Sequence, residues 1–306
     1  MAQHSAAAAL AGSLRIRQER KTLAAFVDFL RAKPLGSVGL FLIVITLVVA
    51  VLGDLITPYP AEQMHVIDRL QGPSSRYWLG TDEFGRDLLS RIIGGARVSV
   101  IVGVCVVSIG GGLGLVVGVL SGYFGGRFDT IVQRIIEVKL AFPDLLLALA
   151  LIAALGQGLD KVIIALSIGF FARPTRLMRG VVLSTKENMY VEAARAMGAT
   201  SFRIMFVHIL PNVFAPWLIL ASAGLGGAIL AEASLSFLGL GIPPPTPSWG
   251  RMLSGAASRY IQTAPLLVIF PGVALSLVVF AYNVFGDALR DVWDPRLRGS
   301  RSEKRG

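Results

Sequence analysis

Charge is what this sequence has least of: 16% of its 306 residues are Asp, Glu, Lys or Arg, against roughly 25% in soluble domains. So few charges cannot cover the surface of a soluble fold of this length. One cysteine, Cys105, excludes an intrachain disulfide framework and a thiolate metal site. No G-x-x-x-x-G-K-[ST] run is present to cradle ATP phosphates, and no H-E-x-x-H or G-x-S-x-G run to supply hydrolytic chemistry. The three histidines, His4, His65 and His208, are scattered along the chain and point to no shared metal or catalytic site. What the chain has instead is 54% hydrophobic residues and 34 glycines. The net charge of +10 falls between apolar runs, not along them, which describes a polytopic membrane protein, not a nucleic-acid binder.

A bilayer core of about 30 Å needs about 20 helical residues. Six stretches meet that requirement, and the expectation is an all-α protein with spans at 35–53, 98–122, 138–158, 162–179, 213–238 and 263–285. Residues 1–34 and 287–306 flank this membrane domain, and residues 180–212 form its longest inner loop. With the N-terminus in the cytoplasm, 21 of the 29 Lys and Arg residues fall on the inner side, which predicts that both termini are cytoplasmic. No A-x-A site follows the first apolar run, so that run is expected to be retained as a span.

Gly110, Gly114, Gly118 and Gly122 recur every fourth residue of the second span and lie on one helical face. Small residues so spaced let helix backbones approach closely in lipid, and Ala223, Gly227 and Ala231 repeat the pattern in the fifth span. Glu232 is the one acidic residue of that span. With Ser236 one turn on, it is a candidate either for the solute pathway or for a polar contact inside the bundle. Asp144 follows Pro143 where a carboxylate favours the helix dipole. Arg173, Arg176 and Arg179 are expected to reach anionic headgroups.

The inner loop is the most informative segment. Ser184 or Thr185 can cap a helix with an apolar stripe at Tyr190, Ala194 and Met197, and Gly198 is suited to a left-handed turn at its end. Thr200 or Ser201 can cap a second helix through Ile209 that stops before Pro211. The result is a helix–turn–helix whose apolar face is offered to a partner's groove.

Glu192-Ala193-Ala194, then Gly198, then Leu210-Pro211, resembles the signature of permease subunits in ATP-driven, binding-protein-dependent importers. His208 stands where that pattern usually has Ile. Trp78 to Asp87, Glu232 to Gly241 with Pro247 to Gly250, Asp287 to Asp291, and Asp294-Pro295-Arg296 narrow the resemblance to the dipeptide, oligopeptide and nickel permease group. The resemblance covers about residues 35–298. It implies a type I ABC importer permease fold in a bacterial inner membrane, working with a second homologous permease, two ATPase subunits and a periplasmic binding protein. ATP and Mg would then be held by the ATPases, with no cofactor on this chain, and Glu192, Ala193, Ala194, Gly198, Leu210 and Pro211 would couple the permease to them. An ion-coupled secondary transporter is the alternative, and it would call for inverted repeats with midplane carboxylates.

Overall fold

The computed structural model describes residues 32–293, and the regular elements among them are all helical. Residues 1–31 and 294–306, with His4 and the Asp294-Pro295-Arg296 motif, lie outside the described part. Helix α1, Pro34–Ile56, starts with proline in its first turn and is buried at Gly36, Gly39, Ile43, Thr46, Ala50 and Gly53. That spacing places small residues inward, while Phe41, Val51 and Leu55 point outward. Such an inversion suits a lipid solvent, where close packing of backbones replaces the hydrophobic drive. A Cβ on Gly39 would come within 2.8 Å of the Ala281 carbonyl, so α1 lies directly on the last helix.

Helix α2 runs from Leu88 to Phe124 as one 37-residue rod, about 55 Å at 1.5 Å per residue. It starts well before the expected residue 98. The Asp87 carboxylate caps it by accepting from the Ser90 amide at 2.8 Å and the Ser90 hydroxyl at 2.6 Å, and the first turns carry charge because they stand in a cap folded from residues 57–87. A π-helical turn at Val107–Gly111 interrupts the rod. There the Trp217 indole donates to the Gly111 carbonyl at 2.9 Å.

The expected third span, 138–158, is not one helix. Helix α3, Gly126–Ala141, and helix α4, Asp144–Leu155, meet at 91°. Pro143 has no amide hydrogen and holds Phe142 extended, at φ −93° and ψ 131°, which ends α3. Helices α5, Leu159–Phe170, and α6, Ala172–Thr185, follow each other through a helical Phe171. Helix α7, Met189–Ala196, leads to α8, Ser201–Phe237, then α9, Trp249–Arg259, and α10, Leu266–Trp293.

Among the described residues four helices are long and apolar enough to cross a membrane, and the bent α3–α4 pair makes a possible fifth. The fourth expected span, 162–179, falls short because Arg173, Arg176 and Arg179 interrupt it. Helix α8 also departs from expectation. It passes through Pro211 without stopping, because a π-helical stretch at Ile204–Ile209 shifts the hydrogen-bond register just ahead of the proline. The Asn212 side chain donates to the His208 carbonyl at 2.7 Å in the same turn.

Candidate functional site

Helix α7 and the turn after it protrude between α6 and α8. Ser184 and Thr185 do not cap α7. Their hydroxyls donate back to the Val181 carbonyl within the last turn of α6, and Asn188 takes the N-cap position without a side-chain bond. The turn itself forms as the sequence suggests. Gly198 has φ +81°, and Thr200 accepts weakly from the Arg203 amide at 3.4 Å to start α8.

The stripe of Tyr190, Ala194 and Met197 divides in the structure. Val191 and Ala194 are buried against Val182, Ile204, Met205 and Ile209, forming the anchor of the protrusion. Tyr190 is exposed, donation from Asn212 to its hydroxyl at 3.2 Å ties it to α8, and Met197 is 82% exposed. Met189, Phe202 and Phe206 are exposed with it. Glu192, Ala193, Gly198 and Pro211 also face outward, while Leu210 is half-buried. The result is a short helix fixed from behind by two small apolar residues, with a methionine-rich front.

The glycine ladder meets α5 and α6 of the same chain. A Cβ on Gly110 would lie 2.6 Å from the Ser167 carbonyl, on Gly114 2.7 Å from Pro174, on Gly118 2.6 Å from the Thr175 carbonyl, and on Gly122 2.8 Å from Val182. At those distances backbones touch. One long helix, α2, therefore supports the stretch from which α7 projects.

Glu232 is fully buried. Ser236 and Ser248 both donate to its Oε1, at 2.6 and 2.8 Å, and its Oε2 has no partner. The pair thus joins α8 to the start of α9, where Trp249 donates to the Ile92 carbonyl at 2.9 Å and fills the space beside Gly95.

The arginines expected at headgroups divide too. The Arg179 guanidinium grips Asp129 through two bonds, its Nε at 2.6 Å, with the Ser121 hydroxyl on the same carboxylate. Arg173 pairs with Asp144 at 3.1 Å, and Lys139 pairs with Asp144 from across the Phe142–Pro143 bend. Asp144 and Arg173 are among the residues that line a cavity of about 450 Å³ between α4, α5 and α8, whose wall includes Ala223, Gly227 and Ala231.

Sequence reading missed the cap that residues 57–87 form at the start of α2. Asp82 accepts from the Phe84 and Arg86 amides at 2.9 and 3.0 Å and from Arg86 Nε at 2.6 Å, and pairs with Arg91 at 3.4 Å. All three charged side chains are buried. Nearby, burial and a 2.8 Å hydrogen bond to Asp68 push the Tyr77 phenol above its ordinary pKa. The i,i+4 spacing of Asp82 and Arg86 was the available signal, but it lies in a loop, where helical spacing carries no weight.

Residues 114–299 match the family described as binding-protein-dependent transport system inner membrane component, and residues 25–73 match the N-terminal transmembrane domain of oligopeptide transport permease C. The dipeptide transport system permease protein of Alkalihalophilus pseudofirmus is 42% identical over 88% of this chain and 88% of its own length. The glutathione transport system permease protein of Pectobacterium atrosepticum is 43% identical over 88% of this chain and 89% of its own. A solved structure of inward-facing MetNI methionine ABC transporter matches with TM-score 0.50 and 21% identity over 68% of this chain and 97% of that one. The alternative of an ion-coupled secondary transporter is thereby set aside. The chain belongs to the binding-protein-dependent inner membrane transport components and is an ABC importer permease.

Proposed function

We propose that this chain carries a dipeptide, a short oligopeptide or a related small solute inward, taking it from a periplasmic binding protein. In this reading it sits in a bacterial inner membrane with six spans and both termini in the cytoplasm, the charged α5–α6 segment serving as the fourth. A second homologous permease completes the pathway, and membrane lipid surrounds the pair. Two ATPase subunits hold ATP and Mg, so this chain hydrolyses nothing and binds no cofactor.

The observation that carries the coupling role is the division of α7 into a buried back and an exposed front. Val191 and Ala194 fix the helix to the bundle, so force applied to Met189 or Met197 is passed to α6 and α8, not absorbed by a loose loop. Ala193 allows close seating, Glu192 offers a charge at the contact, and Gly198 sets the angle of the return. Leu210 and Pro211 hold the root of α8. The glycine ladder gives the lever its fulcrum, and Glu232 with Ser236 acts as a polar contact within the bundle.

Reconstitution of the whole complex in liposomes tests the reading. Uptake of labelled dialanine should follow enclosed or external ATP on the ATPase side, survive collapse of the proton gradient, and stop when the ATPases are omitted. ATP hydrolysis by this chain purified alone, or uptake driven by the gradient, would overturn it.

A further inference from the structure

We infer that the cavity between α4, α5 and α8 is this chain's share of the solute path, and that Asp144 and Arg173 are contacts for the two charged ends of a peptide-like zwitterion. The inference rests on the importer reading above and adds the site. Three observations carry it. The cavity, about 450 Å³, is bounded mainly by apolar groups: Val106, Leu166, Phe170 and the small residues of α8. A volume of that order holds a small organic ligand. A Cβ at Gly224 would run into the Phe170 ring, but one at Gly227 would meet nothing within 4 Å, so the cavity opens at the Gly227 turn of α8. The third observation is charge. Asp144 and Arg173 stand in this apolar wall with 44% and 68% of their side chains exposed, and acyl chains do not solvate ions so exposed. In this proposal the wall faces water or a polar solute, not acyl chains, headgroups or a second chain.

The charges also define the solute. Asp144 is shared between Arg173 and the nearly buried Lys139, so the site holds two cations and one anion. An incoming carboxylate can take Arg173 while Asp144 keeps Lys139, and an incoming ammonium can approach Asp144 from the open side. A molecule with both ends charged exchanges one ion pair for two, without leaving a buried charge alone. Glu232, fully buried and held by Ser236 and Ser248, faces no such space.

Two measurements on the complete complex test this. In the first, Cys105 is replaced by Ala and a cysteine is placed by Gly227→Cys, with Phe41→Cys on the outward face of α1 as reference. A water-soluble, charged thiosulfonate is expected to label position 227 and not position 41, and the rate at 227 is expected to change at least tenfold between the nucleotide-free and the ATP–vanadate-trapped complex. Labelling of 227 by a lipid-soluble maleimide alone would assign this face to lipid. Labelling by neither reagent in either state would assign it to packing against a second chain. Both results overturn the proposal.

In the second, uptake of dialanine is compared with uptake of dialanine amide, before and after Arg173→Gln. The same binding protein serves both complexes, so its own preference cancels in the ratio. The acid-to-amide ratio is expected to fall about tenfold in the variant. Equal loss for both solutes, or no change in the ratio, would show that Arg173 does not touch the solute. Absence of dialanine uptake in the unsubstituted complex would instead refute the peptide-importer reading, and the labelling result would still decide whether the cavity carries water.

Discussion

The two ends of the α2–α6 unit are built on opposite principles. At the end where α2 begins, residues 57–87 and the first turns of α2 fold into a cap that buries charge: Asp82, Arg86, Asp87 and Arg91 are all nearly inaccessible. At the other end, α7 hides only Val191 and Ala194, while Met189, Met197 in the turn after it, and Phe202 and Phe206 at the start of α8 are exposed. The cap spends its polar groups on itself: Asp82 takes the Phe84 and Arg86 amides and the Arg86 and Arg91 guanidinium groups, and Asp87 takes the Ser90 amide and hydroxyl. The protrusion leaves its apolar groups for another molecule. Buried charge networks are rigid and specific to one geometry. An exposed methionine-rich helix adapts to a partner and gains stability only on docking. The cap is thus a finished surface, whereas the front of α7 leaves apolar groups uncovered.

The change expected to do most damage abolishes both ends at once. Gly118→Leu would drive a side chain into a site where even a Cβ comes within 2.6 Å of the Thr175 carbonyl and 2.8 Å of Met178. Helix α6 would have to move away from α2, taking α7 with it. Membrane yield of the assembled complex should fall by about tenfold or more, as read by co-purification of all subunits. Normal yield would mean that the α2–α6 contact is dispensable.

A smaller effect separates the two ends. Asp82→Asn leaves Arg86 and Arg91 buried without their shared anion. Removing one partner of a buried ion pair costs about 3–5 kcal/mol, so the thermal unfolding of the purified complex should shift clearly downward. ATPase stimulation measured well below that transition should stay near normal, because the change lies at the opposite end from α7. Unchanged thermal stability would show that the cap is not held by this network.

The difference between the ends also explains what could be read in advance. Gly198 was legible because a left-handed turn after an amphipathic run is a local matter, and the glycine ladder because its four-residue period needs no neighbour to be seen. Pro211 misled because its cost depends on the register of the turn before it, and a π-helical stretch is not written in any single residue. The start of α2 was misplaced at residue 98 for a similar reason. A rule that spans are free of charge stops at Arg97 and Arg91, yet both belong to a helix that outruns the bilayer. Pro143 carried a visible break signal, overridden by the apolar run on either side. The cap was illegible outright, since Arg91 reaches Asp82 only after the loop between them has folded.

The smallest effect on the fold should come from the α7 end, and it sharpens the comparison most. Gly198→Val and Glu192→Lys both change residues that face outward. A Cβ at Gly198 would meet no atom within 4 Å, so crowding is not the issue there. The issue is φ +81°, a region that a β-branched residue enters only with strain, about 1–2 kcal/mol for an L-residue in the left-handed well. The return from α7 to α8 should therefore shift its angle without unfolding either helix. Glu192 has no ion-pair partner among the described residues, so reversing its charge removes nothing from this chain and changes only what a partner meets. Both variants should keep thermal stability within a few degrees of the parent complex, and affinity of the binding protein for its solute should be unchanged. Receptor-stimulated ATP hydrolysis and uptake should fall together, by about tenfold for Glu192→Lys if the opposing surface is basic, because the reversed charge then turns an attraction into a repulsion. If both variants retain full stimulation, the exposed front of α7 is not where the ATPases act, and the contrast between a finished cap and an uncovered α7 front loses its functional meaning.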